Sequence, residues 1–308
     1  MRKIKYQGGI TKYITAKVGA KNKARFTTFI ADKNNLQSIV DQFGAVKSVD
    51  MDAASFSSSR DFEEQVLSIL SFVRNVGAPV RWTIYSDGSH TAEQADRLRQ
   101  VLPFVHIVKH NLDDAAALKA NFKQVALPWF NEILEYAREQ PMGKKLLFYI
   151  NHRIQRTTVF TDSDVLFYPK AEVLISQLDD NKNGYFLPDS GWGALDSRYR
   201  QKTAPQMYQV NAGFFIAKKE FDFVQVGMGL MDLYDHTYEY FSEQTIFHVL
   251  LNVNGYTPLD PRVFILDSGD QFDFSNLYHK SEMAVRHFTG PVRHKMWQQD
   301  WKWQLSIS

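Results

Sequence analysis

From Val46 to Val108 short apolar runs alternate with amphipathic ones at close spacing, and this alternation constrains the architecture more than any other feature of the chain. Val46-Lys-Ser-Val-Asp-Met51 reads as a strand. Ser58, with Asp61 three residues later, forms a helix-start box. Val66, Ile69, Leu70, Val73 and Val76 then fall on one helix face, and Gly77 with Pro79 ends that helix. Val80-Arg-Trp-Thr-Ile-Tyr85 alternates as a second strand and runs into the turn Ser86-Asp87-Gly88-Ser89. Thr91 and Gln94 open a second helix whose Ala95, Leu98 and Leu102 share a face, before the strand Val105-His-Ile-Val108. This β-α-β-α-β order with short loops predicts an α/β, Rossmann-like fold: a mostly parallel sheet sandwiched by helices. Its ligand site is expected beyond the carboxyl ends of the strands.

With 308 residues the chain can bury a deep site, and 44% hydrophobic with 14% aromatic residues excludes a disordered polymer. Lys and Arg number 36 against 34 Asp and Glu, a net charge of +2, too small to make nucleic acid the expected partner. The absence of cysteine excludes thiolate nucleophiles and Cys-ligated metal centres. The basic start is followed by no continuous apolar stretch, and no run approaches the ~20 apolar residues that span a bilayer. A cytoplasmic protein is expected, with peripheral membrane contact allowed. There is no repeat or linker, so the chain divides into an N-terminal extension (1–44), a main domain (45–290) and a C-terminal tail closing the site (291–308). Within the extension, Phe26-Thr-Thr-Phe-Ile-Ala31 has strand composition. Leu36, Ile39, Val40 and Phe43 have helical spacing ending at Gly44.

The chemistry is concentrated at Asp162-Ser163-Asp164. Thr157-Thr-Val-Phe-Thr161 is β-branched and aromatic, hence a buried strand that delivers the two acids at its carboxyl end. Side chains two apart on a strand point the same way, so Asp162 and Asp164 can converge while Ser163 faces away. Paired hard carboxylates suit Mg²⁺ or Mn²⁺ and leave coordination positions for a pyrophosphate. Two acids in a solvated turn is the plainer alternative. The apolar Val165-Leu-Phe-Tyr168 that follows argues against it, because unpaired carboxylates beside a core are costly.

At this point the sequence resembles the GT-A glycosyltransferases, in particular those of the glycogenin and bacterial lipopolysaccharide galactosyltransferase type. Four ordered segments carry the resemblance: Ile84–Ser89, Val159–Leu166, Val210-Asn-Ala-Gly-Phe-Phe215 and Arg286-His-Phe-Thr-Gly290. It implies a GT-A fold and metal-dependent transfer of a hexose from a nucleotide diphosphate sugar, UDP above all, to a hydroxyl on a glycan, lipid or protein. It implies that Asp162, Asp164 and His287 hold the metal, and that Asp87 and Asp162 lie near the nucleoside. Asn211, Ala212 and Gly213 would line the sugar subsite. Glu243 and Gln244, opening a helix at Ser242, would stand near the reacting carbon, and with Asn211 they are the catalytic candidates. Gly290 and a cation after it would meet the diphosphate. The family pattern His-x-x-Gly-x-x-Lys-Pro-Trp is altered here to His287-Phe-Thr-Gly290-Pro-Val-Arg-His-Lys295-Met-Trp297. Of Arg293, His294 and Lys295, the reading favours Lys295. Retention of anomeric configuration is the expected outcome, since the late His and the Asn-Ala-Gly-Phe segment accompany it in that family.

Asp189-Ser-Gly-Trp-Gly193 is a glycine-loosened aromatic loop suited to sugar rings, and the three tryptophans from Trp297 to Trp303 fit a core lid, an acceptor contact or a membrane-surface anchor. One rival is a phosphatase of the haloacid dehalogenase type, with Asp162 and Asp164 as nucleophile and acid and Gly269-Asp270 with Asp273 as the later acidic motif. Another is a non-catalytic sugar-binding module on a degenerate glycosyltransferase fold.

Overall fold

The computed structural model describes residues 9–44, 46–176, 178, 181–189, 194–200, 207–271 and 277–306. Helices α1 (Gly9–Ala31) and α2 (Lys33–Gln42) precede the series β1 (Ser48–Ser57), α3 (Phe62–Asn75), β2 (Ala78–Ser86), α4 (Ala92–Val101) and β3 (Val105–Val108). Helices α5 (Ala115–Ala120), α6 (Phe130–Glu139) and α7 (Pro141–Asn151) lead to β4 (Thr158–Asp162) and β5 (Val165–Phe167). There follow α8 (Val173–Ser176), β6 (Gly184–Pro188), α9 (Ser197–Arg200), β7 (Val210–Ala217), α10 (Val224–Met228), α11 (Leu230–Tyr234) and α12 (Ser242–Val253). The last elements are β8 (Thr257–Pro258), β9 (Phe264–Ile265), β10 (Val285–His287), α13 (Arg293–Lys295) and α14 (Trp301–Gln304).

Seven strands form the central sheet in the order β3-β2-β1-β4-β7-β6-β8. Strand β1 pairs in parallel with β2 and β4, β2 with β3, and β6 with β8, while β7 runs antiparallel between β4 and β6. This is the mostly parallel, helix-covered α/β sheet that the alternation predicts. Strand β4 is central, and its Thr158, Val159, Phe160 and Thr161 are all buried, as β-branched and aromatic residues covered on both faces should be. Val159 and Phe160 point to opposite faces and belong to different cores. The first core takes Val66, Ile69 and Leu70 of α3; the second takes Ile133 of α6, Leu146 and Ile150 of α7, and Ile246 and Leu250 of α12.

Phe26–Ala31 is helical, not a strand. Its Phe26 and Ile30, four apart, share one helix face and are fully buried in the first core, so tertiary burial at helical spacing overrides the strand propensity of the Thr-Thr step. Leu36 and Ile39 of α2 enter the same core, and Gly44 beyond it takes φ +67°, the left-handed conformation favoured after a helix. Strand β1 runs on to Ser57, beyond the predicted Met51. Thr91 and Gln94 form the reciprocal capping box that opens α4. The C-terminal tryptophans turn inward as a lid: Trp301 packs on Phe26 and Phe29, Trp303 on Tyr168, and Trp297 Nε1 donates to Glu64 Oε1 at 2.9 Å.

Candidate active site

Strand β4 ends at Asp162, the chain turns through Ser163 and Asp164, and β5 begins at once. Strand β10 lies antiparallel on β5 with His287 opposite Val165, and the Phe288 N–H donates to the Asp164 carbonyl at 2.8 Å. This small second sheet, β5-β10-β9, carries a histidine 123 residues away in sequence onto the Asp pair. Asp162, Asp164 and His287 each offer a ligand atom, and those atoms lie within 4.8 Å of one another. His287 Nε2 is 3.2 Å from Asp164 Oδ1 and 4.0 Å from Asp162 Oδ2.

Asn211, near the start of β7, orients the ring. Its Oδ1 accepts the Gly213 N–H at 3.0 Å and lies 2.9 Å from His287 Nδ1. A backbone N–H can only donate, so the atom facing it is the amide oxygen, and Nδ1 must be the protonated nitrogen of His287. Nε2 is then the nitrogen that faces the carboxylates: with a proton it donates to Asp164, and without one it offers a lone pair to a metal. Gly213 is obligatory beneath that ring: a Cβ there would overlap His287 Cε1 and lie 2.7 Å from Nδ1.

Charges hold Asp164 ionised despite burial. Burial alone would raise the Asp164 carboxyl, but the charges of His287 and Arg293 outweigh it and hold it well below the carboxylate range. Burial would lower His287, and the Asp164 charge raises it instead. Arg293 donates to Asp164 Oδ2 from the first residue of α13, and its buried Nε has no hydrogen-bond partner among the described residues. Lys145, 3% exposed on α7, lies 2.8 Å from Asp162 Oδ1, 3.5 Å from Glu243 Oε1 and 3.0 Å from the Ala212 carbonyl. Burial opposes its charge, yet the Asp162 and Glu243 carboxylates drive its ammonium above the usual lysine range. Glu243, 3% exposed in the first turn of α12, is pushed up to about 7 by burial against the counter-pull of Lys145. Gln244 donates to the Ala194 carbonyl at 2.7 Å, and its Oε1 lies 3.4 Å from the Ala212 N–H.

Most of the residues singled out in the sequence thus meet in one network: Asp162, Asp164, Asn211, Ala212, Gly213, Glu243, Gln244 and His287. Asp87 does not join it. Its Oδ1 accepts the Ser89 N–H at 2.8 Å and the Ser89 hydroxyl at 2.6 Å, so the carboxylate is engaged in its own turn. Gly290 is exposed, with open space where a Cβ would stand, so no steric demand for glycine exists there. Lys295 is 1% exposed and lies 3.7 Å from Asp270 Oδ2. Arg293 and Lys295 stand two apart on one helical turn, where side chains diverge by roughly 200°. The turn therefore sends Arg293 to the acids and Lys295 away from them. Asp270 pairs with Arg286 at 2.7 Å and is not part of the cluster of Asp162, Asp164 and His287, which weakens the phosphatase reading; Asp273 lies outside the described residues. So do Ser190–Gly193 of the aromatic loop, while Asp189 lies 3.4 Å from Asn211 Nδ2. Sequence reasoning missed Lys145, whose signal is a lysine set among the apolar residues Leu146 to Ile150 of a buried helix.

The donor set fits a divalent ion: two carboxylates and an imidazole of fixed tautomer converge within coordination reach, and an amide oxygen secures the imidazole from behind. The fold is that of the GT-A glycosyltransferases. No family model matches the sequence, and no curated protein does either. Among solved structures, the galactosyltransferase LgtC in complex with donor and acceptor sugar analogs is similar over 82% of this chain and 100% of its own, at 15% identity and a TM-score of 0.52. An active-site mutant of LgtC is similar over 78% and 88% at 17% identity and a TM-score of 0.51. The bifunctional glycosyltransferase WbbM, in its apo structure, is similar over 83% of this chain and 50% of its own, at 15% identity and a TM-score of 0.53. At such identities the likeness is one of fold.

Proposed function

We propose that the chain is a metal-dependent glycosyltransferase that moves a hexose from a nucleotide diphosphate sugar, with UDP the favoured carrier, to a hydroxyl acceptor with retention of configuration. The observation that carries this reading is the convergence of Asp162, Asp164 and His287 at the carboxyl end of β4. These three residues would hold Mn²⁺ or Mg²⁺, which when bound supplies positive charge for the diphosphate leaving group. Arg293 is the cation we assign to the same diphosphate, in preference to Lys295, because only Arg293 reaches Asp164. Asn211, Ala212 and Gly213 are assigned to the sugar subsite, where the Asn211 Nδ2 amide, 3.4 Å from Asp189, has donor capacity left for a sugar hydroxyl. Lys145 ties Asp162 to Glu243 and to the Ala212 carbonyl, so nucleotide and sugar subsites share one positioning residue.

The burial of Glu243 supports retention. A base for the inverting reaction must reach the acceptor hydroxyl. The Glu243 side chain is buried and faces Lys145, whereas the Gln244 amide beside Ala212 can steady a cationic sugar. In the retaining reaction the departing phosphate takes the acceptor proton on the same face.

A thermal-shift panel of nucleoside diphosphates and their sugars, with and without Mn²⁺, tests the reading, since ligands in excess of their affinity raise the melting temperature. UDP or a UDP-sugar is expected to stabilise the protein only with the metal. Release of UDP from the sugar donor separates an enzyme from a non-catalytic sugar-binding module. A protein that ignores every nucleotide with Mn²⁺ present is not this transferase.

A further inference from the structure

The charge of this chain is unevenly placed. Residues 1–31 hold eight of the 36 Lys and Arg and none of the 34 Asp and Glu, so the remainder, with 28 against 34, carries a formal net charge of −6. Within α1, Lys17, Lys21 and Arg25 are exposed and spaced four apart, hence stacked along one helix face. Tyr13, one turn earlier on the same line, is 66% exposed. Gly19, Phe26 and Ile30 lie on the opposite face and are buried. Lys23, which sits toward the buried side, is neutralised by Glu64 at 2.9 Å, whereas no carboxylate lies within ion-pair reach of Lys17, Lys21 or Arg25 among the described residues.

We propose that this outer face of α1 docks the protein on an anionic lipid surface. The partner is set by charge and shape. Three unneutralised cations and a terminal tyrosine span roughly 18 Å of straight helix at 1.5 Å per residue, which suits a plane of anionic headgroups with an amphipathic ring at the interface. A polynucleotide would need the basic track to continue, and beyond residue 31 the chain is net negative. The contact is superficial, because no helix among the described residues is long and apolar enough to cross a membrane. The buried face of α1 meets the segment that carries Arg293: a Cβ on Gly19 would lie 3.4 Å from the Cβ of His294 and 4.0 Å from Trp297. Docking through α1 therefore leaves the candidate active site close to the lipid plane. This inference does not rest on the glycosyl-transfer reading.

Co-sedimentation of the full chain with vesicles of phosphatidylglycerol and phosphatidylcholine, against pure phosphatidylcholine, tests it. Binding is expected only to the anionic vesicles and is expected to fall with salt. Each basic residue at an anionic surface contributes about fivefold in partitioning, so the triple variant Lys17→Gln, Lys21→Gln, Arg25→Gln should bind about a hundredfold more weakly. Its melting temperature should match the parent, since all three side chains are exposed. A matched triple, Lys47→Gln, Lys119→Gln, Lys219→Gln, removes exposed cations on other parts of the fold and should keep near-parental binding. No binding to anionic vesicles at low salt overturns the proposal. So does equal loss in both triples, which would assign the effect to net charge, and so does retention by single-stranded polynucleotide but not by vesicles.

Discussion

Asn211 holds the ring of His287 from behind: one oxygen, Asn211 Oδ1, receives both the Gly213 N–H at 3.0 Å and the His287 Nδ1–H at 2.9 Å. The bond decides which ring nitrogen is free. Replacing Asn211 with Leu removes the acceptor, so the ring loses both its tautomer and its orientation. Mn²⁺ affinity, measured by calorimetry, should fall about 10- to 100-fold, the usual effect of losing such a support. Unchanged affinity would mean that His287 is not a ligand.

Gly213 makes a sharper version of the same test. The methyl of Gly213→Ala would stand 2.7 Å from His287 Nδ1 and 2.9 Å from Asn211 Oδ1, in a strand that is buried throughout. Ring or strand must shift, and such overpacking typically costs about 1–3 kcal/mol. A lower melting temperature is expected together with loss of the Mn²⁺-dependent nucleotide shift. An alanine variant that melts and binds like the parent would show that the His287 ring has room to move.

The two halves of this site differed in how legible they were. Strand β4 and its acids could be read because a β-branched, aromatic run has few other uses and because the period of a strand places Asp162 and Asp164 on one side. The likeness of Arg286–Gly290 to a family segment suggested His287, but the β5–β10 ladder that brings it there is set by a pairing of three-residue strands, which no local pattern reports. Lys145 was hidden for a different reason. A lysine in an amphipathic helix is ordinarily solvated, and only the tertiary placement of α7 beneath Ala212 turns it inward. After Gly290, residue type pointed to Lys295 while spacing pointed to Arg293, three residues on. The helical turn of α13 favours spacing.

That difference can be measured. If Arg293 meets the diphosphate as proposed, Arg293→Ala should lower turnover at least tenfold and weaken UDP binding, because a cation on the developing phosphate charge would be lost. Lys295→Ala should act on the fold instead, lowering the melting temperature by removing a buried positive charge beside Asp270. If Lys295→Ala leaves stability intact and abolishes UDP binding, the two roles are reversed.

Asp164→Asn removes a carboxylate that both His287 and Arg293 face. A metal clamp on a diphosphate supplies several kcal/mol, and ~4 kcal/mol corresponds to about a thousandfold in rate. Transfer should fall by that order at saturating Mn²⁺. Activity within a few-fold of the parent would place the metal elsewhere.

The stability of the protein should carry the signature of Glu243. Its carboxyl is raised from 4.5 to about 7, first by burial, with the nearby Asp162 charge adding to the rise and Lys145 only partly opposing it. Because the folded value lies above the unfolded one, the folded protein keeps a proton that the unfolded chain releases between pH 4.5 and about 7. Stability from this group is therefore complete below pH 4.5, declines as pH rises through that window, and levels off above it. Glu243→Gln keeps the shape, cannot ionise, and leaves Lys145 paired with Asp162 at 2.8 Å. At pH 4.5 the variant and the parent should melt together; at pH 8 the variant should be the more stable, with a ceiling of about 3 kcal/mol from a shift of this size. Denaturant unfolding of both proteins across that range reads the difference directly. An advantage that stays flat with pH would mean that Glu243 is already ionised in the folded protein, held so by Lys145, and would restore it as a base for the inverting reaction.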